Sequence, residues 1–120
     1  MNGHVDSFGR AIVTVSIRAS DIAAAHDLSA WIDTGFNGEL VLSQEQIDDL
    51  ELRPSGTLKA VLADGSEVVL QRYTCLIEWF EEDRELEVIA NDGEHPLLGV
   101  GLLVGYDLHI SYRTGAVTIE

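Results

Sequence analysis

A hydrophobic period of two constrains this chain more than any other feature. Ala11 to Ile17 reads Ala-Ile-Val-Thr-Val-Ser-Ile, with Val13, Val15 and Ile17 on one face. Such alternation with β-branched side chains specifies a half-buried strand. A polar, Ala-rich connection, Arg18 to Asp27, leads to a second strand, Leu28 to Ile32. That strand runs into Asp33-Thr34-Gly35-Phe36-Asn37-Gly38, whose two glycines mark a tight, non-repetitive loop. A short strand, Glu39 to Leu42, comes next. Ser43 with Gln46 three residues on is a capping box, which opens a short helix ending near Leu50.

After Pro54-Ser55-Gly56 the strand pattern resumes. Thr57 to Ala63 and Glu67 to Tyr73 flank Asp64-Gly65, a strong hairpin signal. Cys75 to Phe80 and Leu86 to Ala90 flank a second, charged tip at Glu81 to Arg84. The turn-rich segment Asn91 to Pro96 precedes Leu97-Leu98-Gly99-Val100-Gly101-Leu102-Leu103, and a second short helix is expected to run on to Tyr106. Leu108, Ile110 and Tyr112 alternate with polar residues. A turn at Arg113 to Gly115 leads to a last strand, Ala116 to Ile119. Eight or nine short strands with one or two short helices predict an all-β barrel or sandwich. The 120 residues fit one domain spanning positions 1–120. A weak self-similarity hints at two related halves: Ile32-Asp33-Thr34-Gly35 and Leu97-Leu98-Gly99 each place a glycine after an apolar step.

Composition excludes some function classes. Seven basic residues against 21 acidic ones give a net charge of −14. Such a surface repels phosphate, so neither nucleic acid nor an anionic membrane is an expected partner. The lone Cys75 forms no internal disulfide and reads as a small buried hydrophobe. No basic segment followed by an apolar run opens the chain, and no stretch has membrane-span length. A cytoplasmic location is the expectation. His4, His26, His95 and His109 show no metal-ligand spacing among themselves or with Cys75, and no Gly-x-Ser-x-Gly elbow is present. Neither a metal nor a cofactor is expected.

The chemistry concentrates in Trp31-Ile32-Asp33-Thr34-Gly35. An aspartate ending an apolar strand sits at the edge of a core. Burial and a second carboxylate nearby both favour its protonated form. Two carboxylates about 3 Å apart share one proton. The ionised one then activates a water, and the protonated one protonates a carbonyl oxygen. The chain holds one Asp-Thr-Gly and no Asp-Ser-Gly. The second carboxylate therefore has to come from another copy, across a two-fold axis. The plain alternatives are a structural turn aspartate at Asp33 and an ordinary hairpin at Asp64-Gly65.

The segment Val13 to Ile119 resembles the retropepsin-like aspartic peptidases, particularly the small bacterial single-domain type. Three ordered matches carry the resemblance: Trp31 to Gly38 with the following Leu40-Val41-Leu42-Ser43 and short helix, the hairpin Val61 to Ser66, and Leu97 to Leu103. The resemblance implies a closed acid-protease barrel, obligate homodimerisation and cleavage of peptide or protein substrates. It implies that Asp33 is the catalytic carboxylate. Thr34 would cross-link the two catalytic loops, and Gly35 would help shape the surroundings of the attacking water. Ala63, Asp64, Gly65 and Ser66 would form the flap over the substrate, and Leu98 and Gly99 would pack beneath the active loop. The family's flap tips and post-Asp-Thr-Gly positions are smaller in viral members than Asp64 and Phe36 are here. A catalytically silent dimerisation or peptide-binding module on the same fold is the alternative.

Overall fold

The alternating segment becomes strand β2 (Ala11–Arg18) in the computed structural model, which describes all 120 residues. Val13, Val15 and Ile17 are buried and Thr14 is exposed, as period two requires. The remaining elements are β1 (Asn2–Val5), β3 (His26–Ile32), β4 (Leu40–Ser43), α1 (Gln44–Leu50), β5 (Arg53–Val61), β6 (Glu67–Trp79), β7 (Glu82–Asn91), β8 (Leu97–Leu98), β9 (Leu108–Ile110) and β10 (Ala116–Ile119). A single 3-10 turn covers Val100–Leu102.

The strand pairings close on themselves. β2 pairs with β3, β3 with β8, β8 with β4, β4 with β7, and β7 with β6. β6 then returns to β2 through Ser16↔Glu78, Ile17↔Ile77 and Arg18↔Leu76. The result is the expected barrel, sealed without an open edge in the ring. Ile17 and Ile77 meet at the closing seam, and both are fully buried. Each contributes about 1.5–3 kcal/mol of burial to keeping the ring shut. Outside the ring, β1 pairs with the first residues of β2, and β10 and β9 continue that edge. The part of β6 before Arg72 projects beyond the ring with β5 as a two-stranded arm.

The helix forms where the capping box predicts. The Ser43 hydroxyl accepts the Gln46 N–H, and the Gln46 side chain accepts the Ser43 N–H. Glu51 ends the helix in a left-handed conformation (φ 55°). Ile47 is its buried anchor.

One strand was not anticipated, and three local expectations are corrected. β1 pairs on both sides despite a weak strand pattern, because Gly3 lets its backbone lie against Ile12 and Val13, where a side chain would overlap. β6 is one 13-residue strand where two were expected. The charged hairpin turns at Phe80 and Glu81, both at positive φ (53° and 68°), not at Glu81 to Arg84. No helix follows Leu103: the chain turns, Gly105 takes φ 89°, and Tyr112 lies in the turn after β9. No helix is long and apolar enough to cross a membrane.

Candidate active site

Strand parity aims the candidate carboxylate. In β3, Ala30 and Ile32 are buried while Trp31 is 40% exposed. Asp33 continues that alternation, half-buried at the strand's end. β8 lies between β3 and β4, parallel to the first and antiparallel to the second. This inserted strand carries Leu97-Leu98-Gly99 beneath the loop that joins β3 to β4.

Backbone hydrogen bonds stitch the two segments together. Asp33 N–H donates to the Leu98 carbonyl (2.9 Å), and Val100 N–H donates to that of Phe36 (2.8 Å). Gly99 N–H reaches the Glu39 carbonyl and Gly101 N–H that of Gly38, both at 2.9 Å. A Cβ at Gly99 would overlap the Gly38 carbonyl and the Phe36 ring. Glycine is therefore a packing requirement at that position, and Leu98 beside it is fully buried. Glu39 ties the loop outward: its carboxylate accepts from Arg84 (3.1 Å) and from the Glu87 N–H (3.1 Å).

Within the loop, Asp33 Oδ1 accepts the Gly35 N–H at 2.9 Å. A Cβ at Gly35 would stand 3.2 Å from that oxygen, so the missing side chain lets the backbone approach the carboxylate. Thr34 is exposed, and its hydroxyl makes no hydrogen bond within the protomer. Trp31, Ile32, Asp33, Thr34 and Leu97 surround an open hollow of about 320 Å³. Asp33 is the one carboxylate lining it.

The expected residues thus fall into two groups. Asp33, Thr34, Gly35, Leu98 and Gly99 come together at the β3–β8–β4 crossing. Ala63, Asp64, Gly65 and Ser66 form the exposed tip of the β5–β6 arm, and none of them lines the hollow. That tip is internally braced. Asp64 Oδ1 accepts from the Ser66 hydroxyl (2.6 Å) and the Ser66 N–H (2.9 Å), and Gly65 sits at φ 85°. The Ser66 hydroxyl first, and its N–H second, hold the Asp64 carboxyl below the usual carboxylate range.

Leu97 joins the wall of the hollow unanticipated; its register opposite Trp31 explains it, and that pairing is long-range. Cys75 is buried, and burial, with the charge of Glu39, pushes its thiol up to about 12. Such a thiol is not a nucleophile near neutral pH. No group of three or more His, Cys, Asp or Glu side chains gathers as a metal-holding cluster.

Neither a protein-family model nor a curated protein matches the sequence. Solved structures do match the fold. A retropepsin-like aspartic protease from Rickettsia conorii superposes with a TM-score of 0.68 at 16% identity, covering 99% of this chain and 88% of that one. The Simian Foamy Virus (mac) protease gives a TM-score of 0.52 at 18% identity, with 77% of this chain and 92% of that one covered. The fold is retropepsin-like.

Proposed function

We propose that the chain is one half of an aspartic endopeptidase, with Asp33 and its symmetry copy forming the catalytic dyad of a homodimer. One observation carries this reading: a lone carboxylate, positioned by the Gly35 N–H, opens into a hollow that contains no second acid. Dyad chemistry needs two carboxyl groups, so the protomer alone is incomplete. The free hydroxyl of exposed Thr34 stands beside Asp33, where a second copy would approach. Both solved relatives are named as proteases, which agrees with the reading.

The residues perform the following steps. The pair holds one proton, leaving one ionised carboxylate. That carboxylate removes a proton from a water placed between the two acids. The water oxygen bonds to the scissile carbonyl carbon while the other carboxyl group protonates the carbonyl oxygen. Collapse of the tetrahedral intermediate breaks the C–N bond. The proton taken from water passes to the leaving nitrogen, one hydroxyl of the intermediate returns its proton to the other carboxylate as it becomes the product carbonyl, and the dyad again holds one proton. The Gly35 N–H bond to Asp33 Oδ1 fixes the direction of the carboxylate.

Asp33→Asn keeps the shape of the side chain and removes its acid. We expect the variant to fold with an unchanged circular dichroism spectrum. Its kcat/KM on a fluorogenic peptide library, assayed from about pH 4 to pH 7, should fall by at least 100-fold. Full activity in that variant refutes the proposal. A second reading, peptide capture without cleavage, is favoured by the outer edge of β5, which pairs with no strand and is open to strand addition. It predicts peptide binding by wild type with no cleavage at any pH.

A further inference from the structure

Beside the hollow stands a preformed cationic corner. The loop between β1 and β2 is fixed by Asp6, whose Oδ1 accepts the N–H groups of Phe8 and Arg10, both at 2.9 Å. Asp6 Oδ2 takes the Arg10 Nε at 2.7 Å. Asp6 N–H in turn donates to the Arg10 carbonyl at 2.9 Å, and Gly9 supplies the positive φ (80°) that closes the turn. Burial works against ionisation of Asp6, but the backbone and guanidinium of Arg10 and the Phe8 N–H outweigh it and hold the carboxyl below its usual range. The brace therefore persists in mild acid.

The brace sets the guanidinium between two aromatic rings. Arg10 Cζ lies 5.0 Å from the Phe8 ring centroid and 5.8 Å from that of Trp31. Both lie in the range of cation–π attraction. Phe8 is 82% exposed, and Trp31 is a wall of the hollow that holds Asp33. Only Nε is engaged by Asp6; both Nη atoms lack a hydrogen-bond partner in the protomer. A planar donor group so fixed, with its two outer nitrogens free, matches a carboxylate in geometry and charge. Arg10 brings its guanidinium to the Trp31 wall of the hollow, where His95 also packs, its ring centroid 6.4 Å from that of Trp31.

We propose that Arg10 is a specificity-determining residue, taking an acidic side chain of the bound peptide while Trp31 carries the adjacent backbone or apolar stem. The substrate class is then a peptide with Glu or Asp close to the scissile bond. This inference rests on the peptide-processing reading above, but it concerns binding and is tested without turnover.

The test uses the Asp33→Asn protein and hexapeptide pairs identical except for Glu or Gln at each position in turn. Binding is read by tryptophan fluorescence. Of the two tryptophans, Trp79 is 3% exposed, so Trp31 reports. At one position at least, the Glu peptide should bind about tenfold more tightly, the worth of one charge-assisted hydrogen bond. Adding Arg10→Gln should abolish the preference, and Arg10→Lys should restore part of it. Equal binding of Glu and Gln peptides at every position overturns the proposal, as does a preference that survives Arg10→Gln. If Arg10→Gln converts a sedimenting dimer to monomer, the guanidinium serves chain pairing and the proposal also falls. A Glu preference in binding by a wild-type protein that cleaves nothing would uphold the corner and reject only the hydrolysis.

Discussion

A single missing methyl group decides how closely the two central segments pack. At Gly99 a Cβ would overlap the Gly38 carbonyl and the Phe36 ring, and it would lie 2.8 Å from the Phe36 carbonyl oxygen. Backbone on two sides leaves no flexible group to yield. Gly99→Ala should therefore lower the unfolding free energy by about 2–3 kcal/mol in urea titration, the upper part of the overpacking range. An unchanged midpoint would contradict the packing described. At this scale much of the site was legible in the residues. Asp33 ends an apolar strand as period two predicts, and Gly35 approaches its carboxylate as a residue without a side chain can. Leu97 and Arg10 were not legible, because each reaches Trp31 from a distant part of the chain.

Among the elements, those written in local chemistry were readable and those dictated by neighbours were not. The Ser43–Gln46 capping box opens α1, and Asp64-Gly65 turns the β5–β6 hairpin. β1 has little strand propensity of its own; pairing with both β2 and β10 makes it a strand. The turn at Phe80–Glu81 lacks the glycine that normally announces two positive φ values, so its position shifts from the expected tip. Stacking of Phe80 on Tyr106, with centroids 4.5 Å apart, and the edge contact of Phe80 with Trp79 accompany that turn.

The β5–β6 arm also has a defined response to pH. Asp64 has a depressed folded pKa, so its bracing of Ser66 is present above the ordinary aspartate value and is lost as pH falls through the lower folded value. NMR titration should give Asp64 a midpoint below about 3.9, with the Ser66 amide moving in step. Asp64→Asn should remove that amide's titration. A midpoint at or above the ordinary value would show that the tip is not braced in solution.

For the whole molecule, closure of the barrel depends on Ser16, Ile17 and Arg18 finding Leu76, Ile77 and Glu78, a pairing that no local pattern reveals. The all-β class and the strand succession were legible; the ring order was not, because it is set by contacts between segments far apart in the chain. The proposed pairing of two protomers faces a further constraint. Each copy carries −14, so moderate salt favours association by screening the repulsion.

In the proposed mechanism, catalysis needs one Asp33 from each of two chains. Wild type and Asp33→Asn, mixed at fixed total concentration in moderate salt and allowed to exchange, test it directly. If a mixed pair is inactive, activity follows the square of the wild-type fraction, and an equal mixture retains about one quarter of the undiluted rate, as random two-fold pairing gives. A linear fall, with about half the rate in that mixture, would mean that each chain acts alone, and would contradict the account.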